Sequence, residues 1–502
     1  MGTPEELPHT LAPGRIGAAA IAYFALAATA PIAVLVHVVP AAYATGGGPL
    51  VPLSFLAAGL VLILFTAGYA AMGHRAPFAG AMYTYVAKGL GRPGGTAAAW
   101  LALTSYQVIQ LGLYGLAGVA AAPLLRSWFD VEAQWWMVAA GCWLVVTLCG
   151  PIRIEVSSGL IALLVLVEGV VVVGFAAADV IDPAAGELTV ASIRPSGVDL
   201  PVLGLLLVVS VLAFAGFETS GAYAEEALRP RRDPGRGAYL SVVVLTVLLA
   251  GASWSLATAA GPGRIAELSR ARGPELLFDL AAARLAPWAV TLGRLVLLTG
   301  LVAAMVALHH TIARYLFALG RERVLPSGLS RTSPRTRAPR NASLAQSLIA
   351  GVALLAAYAI GTSGVDLLGR RLIVAGGLGV LVLLMATSLA ALLHLNQVPN
   401  GEGVWSRFVA PVLATVSLGV IGYLALGDVR RLLGVPAWTV PAAIGAVVFL
   451  GVLHALLLRR FHPVIYAGIG QGGVPVVVTP PKLPEQRPHA EPGAHRPERV
   501  NR

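Results

Sequence analysis

Long apolar stretches alternate with short polar loops along most of this 502-residue chain. Runs of about 20 apolar residues recur, and a helix of that length crosses a bilayer core of about 30 Å. The pattern therefore predicts about twelve membrane-spanning helices. They lie near residues 17–44, 50–72, 94–125, 134–151, 154–180, 200–226, 237–260, 287–319, 341–361, 371–395, 404–426 and 436–459.

Composition supports an integral membrane protein, because 57% of the residues are hydrophobic and only 12% are charged. Soluble domains carry about 25% charged residues. The net charge of +11 comes largely from arginines in loops, above all 229–236 and 321–340. Basic loops mark the cytoplasmic side of a membrane protein, and the number of spans before each loop is even. We therefore expect both termini in the cytoplasm and no nucleic-acid partner.

The spans divide the chain into four predicted regions. A cytoplasmic tail, 1–15, precedes a core of ten helices, 16–396. Two further helices fill 397–460, and the proline-rich polar remainder, 461–502, is predicted to be a disordered cytoplasmic tail. Loops 181–199 and 261–286 are expected outside, the second as an amphipathic helix on the outer face.

Two of the predicted spans are interrupted near their middles. The first contains Ala-Thr-Ala-Pro, ending at Pro31, and the sixth contains Gly216, Glu218 and Gly221. Proline removes a backbone donor, and glycine weakens a helix. Ordinary kinks are the plain alternative. Breaks at corresponding positions of two five-helix halves, however, indicate a substrate site at the membrane midplane.

The predicted breaks have opposite polarity. The half-helix beginning near Pro31 exposes N–H groups of Ile32, Ala33 and Val34, which suit a carboxylate. The half-helix ending near Phe214 and Ala215 exposes carbonyls, which suit an ammonium group. A zwitterionic amino acid satisfies both ends. Phe214 or Phe217 is expected to close over it, and Glu218 to strengthen the amine side.

The chain resembles the amino acid–polyamine–organocation permeases. The resemblance rests on the broken first helix and on three further segments: GYAAMGHRAPFAGAMYTYVAKGLGRPGG at 68–95, FAGFETSGAYAEEALRPRRDPGR at 214–236 and HHTIARYLFALGRERVLP at 309–326. It implies an all-α polytopic fold of about twelve transmembrane helices, a leucine-transporter-like 5+5 inverted repeat with discontinuous helices 1 and 6. It also implies transport of amino acids or related amines, often coupled to protons or run as exchange.

The resemblance also implies a substrate site. It maps to Ala28, Thr29, Ala30, Pro31 and Ile32 in helix 1, facing Phe214, Ala215, Gly216, Phe217 and Glu218 in helix 6. Many family members carry a Gly-Ser-Gly-like run where this chain has Ala-Thr-Ala-Pro. The identity of the substrate is therefore open.

Glu168 is the predicted proton-coupling residue. It lies in the fifth helix with an unbroken apolar run on each side, where an ionised carboxylate is unfavourable. The carboxyl group must therefore be protonated, paired with another group or in contact with water. Its position in helix 5 resembles the position at which some proton-coupled members of the family carry a lysine. A neutral carboxyl that hydrogen-bonds a neighbouring helix is the alternative.

Gate or pathway residues are expected in the third and eighth helices. Tyr106 and Gln110 are polar enough to line the pathway, although such stripes are more often packing. Arg314 is expected to pair with Glu225 or Glu226 as an inner gate.

Other classes fit the sequence less well. The chain has no GxxxxGK loop, GxSxG elbow or metal-binding histidine spacing, so neither an enzyme nor a cofactor or metal is expected. It has no repeated pore element of a channel. A proton-coupled permease of the bacterial plasma membrane, acting on a small molecule, is the favoured function. An exchanger and a non-transporting substrate sensor remain alternatives.

Overall fold

The structure, a computed structural model, describes residues 10–184, 186, 188, 199–361 and 364–473. Within these ranges the secondary structure is helical, apart from an isolated parallel bridge between Ile16 and Ala227. Most of the predicted loop 181–199, and the tail beyond residue 473, lie outside the described residues.

The predicted all-α membrane fold is confirmed. Among the described residues, 11 helices are long and apolar enough to cross a membrane, and the shorter apolar helix Trp135–Cys149 falls at the predicted fourth span. In chain order, spans 1 to 12 are Ala18–Ala44, Leu50–Arg75, Ala81–Phe129, Trp135–Cys149, Ile154–Ile181, Leu200–Glu226, Asp233–Ala260, Pro287–Arg321, Arg340–Ala359, Leu368–Gln397, Trp405–Leu433 and Thr439–Phe461.

Spans 1 and 6 are discontinuous, as predicted. Span 1 comprises the helices Ala18–Thr29 and Pro31–Ala33, a π-helical turn Val34–Val38 and the helix Val39–Ala44. Span 6 changes from the α-helix Leu200–Ala213 to a 3₁₀ helix, Phe217–Glu226. Such long 3₁₀ runs are uncommon and often mark functional segments.

Three other spans contain irregular turns. Span 3 is kinked at Gly91, where φ is 83° and ψ is 167°, so residues 81–90 form a separate arm. Span 10 begins with the π-helix Gly364–Leu372 and continues as Ile373–Gln397. Span 11 likewise begins with Trp405–Val409 and continues as Ala410–Leu433.

The basic loops 229–236 and 321–340 lie at one end of the bundle, here called the basic face. The 3₁₀ turn Ser327–Ser330 belongs to this face. The opposite face carries Ile265–Arg272, Gly273–Glu275 and Leu276–Ala282, which replace the single amphipathic helix predicted over 261–286. Gly273 has a positive φ of 51°, which separates the first helix from the last.

The prediction of a disordered tail over 461–502 is wrong for its first residues, and the part beyond residue 473 lies outside the described residues. Pro463–Gly468 is helical, since proline is suited to a first helical position. Beyond it, the N–H groups of Gly470 and Gly472 donate to the Glu322 carboxylate at 3.1 and 2.8 Å. These bonds anchor the start of the tail to the basic face.

Glu402, in the loop before span 11, is tied to Arg75 at the end of span 2. The guanidinium Nε and Nη2 donate to the two carboxylate oxygens at 2.7 and 2.5 Å. This pairing lowers the pKa of Glu402 to about 2. The ionised pair therefore stabilises the fold above the ordinary carboxyl pKa of 4.5 and loses this effect as pH falls toward about 2.

We expect Glu402→Gln to lower the free energy of unfolding by about 1 kcal/mol at pH 7, because it weakens a bidentate charged contact. Asp428→Asn is the matched control, since Asp428 lies 3.9 Å from Arg431 within one helix. Thermal unfolding of the purified protein in detergent measures both. Equal midpoints for the two variants would contradict the assignment.

Candidate substrate and proton site

The breaks in spans 1 and 6 touch each other. Ala30 has φ 48° and ψ 65°, a left-handed conformation that ends one half-helix and starts the next. Gly216 has φ 125°, and a Cβ added there would lie 2.8 Å from the Ala28 carbonyl carbon and 2.9 Å from the Thr29 nitrogen. The absence of a side chain at Gly216 therefore allows the two backbones to meet.

The outer half of span 1, residues 31–44, lies nearer the opposite face, and N–H groups at its start already have hydrogen-bond acceptors within the protein. Pro31 has no N–H, and the Ile32 N–H donates to Oε1 of Glu168 at 2.7 Å. The Val34 N–H donates to the Ala30 carbonyl at 3.1 Å. Two of the three N–H groups predicted to bind a substrate carboxylate thus have partners within the protein, and one partner is itself a carboxylate.

Glu168 lies between spans 1, 5 and 8. Its side chain is buried, with 2% of its surface exposed. Gly300 of span 8 leaves room for it, because an added Cβ would lie 3.3 Å from the Glu168 Oε2. The carboxylate thereby links span 5 to the broken part of span 1. This contact is the hydrogen bond to a neighbouring helix that the alternative interpretation of Glu168 expects.

Glu218 lies directly after the break in span 6. Its Oε1 accepts a hydrogen bond from the Tyr106 hydroxyl at 3.0 Å, and its Oε2 accepts one from the Gly216 N–H at 2.9 Å. The side chain is fully buried. Both donors are neutral, and among the described residues no ion pair reaches Glu218 or Glu168.

Tyr69 is a site residue that the sequence analysis missed. Its hydroxyl donates to the Glu218 carbonyl at 2.7 Å and accepts the Gly221 N–H at 2.9 Å. This bridge holds the irregular part of span 6 against span 2. The tyrosine stands in the quoted segment GYAAMGHR, but hydropathy gives no sign that it reaches residues 149 positions away.

The predicted aromatic residues are buried beside the breaks. Phe214 and Phe217 have no exposed surface, and the Phe217 ring meets Phe65 edge-on with centroids 5.8 Å apart. Tyr106, besides binding Glu218, contacts the Tyr315 ring at 6.0 Å. The breaks are thus enclosed by aromatic rings from spans 2, 3, 6 and 8.

Gln110 lies away from this group. Its Nε2 donates to the Met305 carbonyl at 2.9 Å, and its Oε1 accepts a hydrogen bond from Gln346 at 2.6 Å. These contacts join span 3 to spans 8 and 9. The structure therefore brings Tyr106, but not Gln110, into contact with the predicted substrate site.

Two ion pairs close the basic face below the breaks. Arg314 donates to both oxygens of Glu226 at 2.6 and 2.9 Å, and each side chain of this pair is only 1% exposed. Arg321 binds Glu225 at 2.7 and 2.5 Å. The expected pairing of Arg314 is thus with Glu226. The Arg15 N–H also donates to the Glu226 carbonyl at 2.8 Å, so the N-terminal segment reinforces this closure.

Comparison with known proteins identifies the class. The fold resembles a manganese transporter of Eremococcus coleocola, with a TM-score of 0.52 and 14% identity over 88% of this chain and 94% of that one. This likeness shows the fold. The amino acid permease family model matches residues 20–461, so the chain belongs to the amino acid permease family, whose members are membrane transporters rather than enzymes.

Individual relatives differ in what they carry. An uncharacterised transporter of Mycobacterium tuberculosis is 26% identical over 71% of this chain and 76% of the relative. The low-affinity putrescine importer PlaP of Escherichia coli is 27% identical over 59% of this chain and 65% of PlaP. The branched-chain amino acid permease BcaP of Lactococcus lactis is 24% identical over 57% and 64%, respectively.

We expect Gly216→Ala to destabilise the protein by at least about 1–3 kcal/mol, because alanine is strained at this φ and its Cβ meets the span 1 backbone. Gly251→Ala in span 7 is the control, since a Cβ there meets no atom within 4 Å. The midpoint of thermal unfolding should fall for the first variant only. An unchanged midpoint for Gly216→Ala would show that the breaks do not touch.

Proposed function

We propose that the protein is a proton-coupled importer of organic amines that works by alternating access. The basic loops favour a cytoplasmic basic face with both termini inside, in a bacterial plasma membrane. The observation that carries the proposal is the pair of buried carboxylates at the breaks, Glu168 and Glu218, which have neutral hydrogen-bond donors.

The Glu168 contact favours substrates without a carboxylate. A helix N-terminus attracts an anion, and here the protein's own carboxylate binds the Ile32 N–H. A substrate carboxylate at this position would have to displace Glu168 or lie beside its charge. An amine has no such conflict, so removal of the carboxylate from an amino acid improves its fit.

Glu218 supplies the complementary charge. A buried carboxylate without a cationic partner is unfavourable, and a substrate ammonium group would neutralise it. The aromatic rings around the break also suit an ammonium ion. The likeness to a putrescine importer agrees with an amine substrate, whereas the likeness to a branched-chain amino acid permease favours an amino acid as the second candidate.

Proton coupling follows from the same Glu168 contact. An ionised carboxylate accepts the Ile32 hydrogen bond more strongly than a neutral carboxyl does. Protonation therefore weakens the link between span 5 and the outer half of span 1. A proton that binds Glu168 in one state and leaves it in another would couple the gradient to movement of span 1.

The substrate prediction concerns pairs of solutes that differ by one carboxylate. In proteoliposomes we expect saturable uptake of putrescine, cadaverine or agmatine. The matched amino acids, ornithine, lysine and arginine, should compete at least about tenfold more weakly, a difference of about 1.4 kcal/mol. Glu218→Gln should raise the KM for the amine by at least about tenfold, because the substrate ammonium loses its charged partner.

Glu132→Gln is the control for Glu218→Gln, since Glu132 is exposed in a loop of the opposite face. Preferred uptake of the amino acids would replace the amine proposal with an amino acid permease. Binding without any uptake would indicate a sensor.

The proton prediction concerns Glu168→Gln. An acid-outside gradient should enhance amine uptake by the wild type and leave uptake by Glu168→Gln unchanged, because glutamine does not titrate. Glu155→Gln, in the first turn of the same helix where the side chain is 38% exposed, should behave as the wild type. Gradient-driven accumulation by Glu168→Gln would contradict the role of Glu168. Uptake only into vesicles preloaded with substrate would indicate an exchanger.

A further inference from the structure

A second buried carboxylate, Asp179, lies on the same face of span 5 as Glu168. Glu168, Val172, Phe175 and Asp179 follow at intervals of four, three and four residues, which is the spacing of one helical face. All four side chains are buried. The two carboxylate residues are about 16 Å apart along the helix axis, and Asp179 lies nearer the opposite face.

A small cavity lies along this face of span 5. Its volume is about 10 Å³, which approaches the space needed for one water molecule. Ile32, whose N–H binds Glu168, lines the cavity together with Asp179. The other lining residues come from spans 1, 5 and 7 and the neighbouring short helix: Leu35, Val172, Phe175, Ala176, Ala252, Ser255, Leu256 and Leu277.

Asp179 lies just beneath the surface. It is 4% exposed, whereas the side chain of Asp182, three residues further on, is 74% exposed. Arg284 lies over both acids, and its ion pair goes to Asp182 at 3.5 Å. The carbonyls of Asp182, Ala259 and Leu280 accept hydrogen bonds from the same guanidinium.

Few charged or polar groups surround Asp179. The Arg284 guanidinium attracts its carboxylate, and the Ser255 hydroxyl of span 7 forms a hydrogen bond with it. Asp182 faces the same arginine from span 5. Of the other titratable groups on the packed elements, neither His37 nor the Glu275–Arg294 pair is among the described residues that line the cavity. Asp179 is therefore the cavity's own acidic group.

We propose that Asp179 is the outer proton acceptor that supplies Glu168 through this cavity. The proposal rests on the proposed function. Asp179 takes a proton from water at the opposite face and passes it to water in the cavity. Once the outer half of span 1 has moved away, water that extends from the cavity past Phe175 passes the proton to Glu168, so Asp179 returns to its ionised form and the charge is conserved.

A side chain separates the cavity from Glu168 and would block proton transfer between them in this conformation. The Phe175 ring lies between the two carboxylates along span 5 and packs against span 8, where a Cβ at Gly293 would lie 2.5 Å from its Cζ. Ile32 and Leu35 form the span 1 wall of the cavity. When the outer half of span 1 moves away, this wall opens and water reaches further toward Glu168.

The test compares Asp179→Asn with the exposed control Asp182→Asn, which removes the same charge from the same end of the helix. In proteoliposomes, Asp179→Asn should reduce proton-driven amine uptake by at least about tenfold, the scale of a lost proton-transfer group. The dependence of its uptake on external pH should flatten. Exchange of labelled for unlabelled amine at equal pH should stay within about twofold of the wild type, since exchange needs no net proton transfer.

Two further variants keep the test decisive if Asp179→Asn does not fold. Asp179→Glu should restore proton-driven uptake, because it keeps the titratable group. Ala176→Leu should fill the cavity and reproduce the selective loss.

The outcomes separate the two proposals. Wild-type behaviour of Asp179→Asn at every pH, or an equal loss of driven uptake and exchange, would overturn the role of Asp179 while leaving that of Glu168 intact. If uptake by the wild-type protein does not depend on the proton gradient, proton coupling itself is wrong, and an outer proton acceptor is not needed.

Discussion

The hydrogen bond from the Ile32 N–H to the Glu168 carboxylate is the contact on which the arrangement of the site depends. It connects residues 136 positions apart and satisfies a helix N-terminus that would otherwise face the midplane unpaired. It also places a carboxyl group of the protein where a substrate carboxylate would be expected. The break in span 1 and the acidic residue of span 5 are therefore parts of one site.

In the proposed mechanism, the contact between Ile32 and Glu168 couples protonation of Glu168 to movement of the outer half of span 1. The inner half of span 1 lies against the basic face, where Arg314 and Glu226 close the structure. Its outer half is held to span 5 through Glu168 and is separated from Phe175 and Asp179 by the small cavity. In the proposed mechanism the two halves move separately about the break at Ala30, where a left-handed residue interrupts the continuous ladder of helical hydrogen bonds.

Much of the fold could be predicted from the sequence, because apolar length sets the spans, and proline and glycine set the breaks. The same local signals indicated Glu168 and Glu218 as unusual. Their partners could not be predicted, since Ile32, Tyr106 and Tyr69 meet them only through tertiary packing. The Ile32 N–H group is an example. The sequence predicted that it is free to bind a substrate carboxylate, whereas in the fold it binds the Glu168 carboxylate.

Binding of cadaverine and lysine, which differ by one carboxylate, tests the central claim most directly. Titration calorimetry would compare the purified wild type with Glu168→Ala, which frees the Ile32 N–H. We expect the wild type to prefer cadaverine, and the variant to shift this preference toward lysine by at least about tenfold, or about 1.4 kcal/mol. A wild-type preference for lysine, or a preference that Glu168→Ala leaves unchanged, would contradict the claim that Glu168 occupies the carboxylate position.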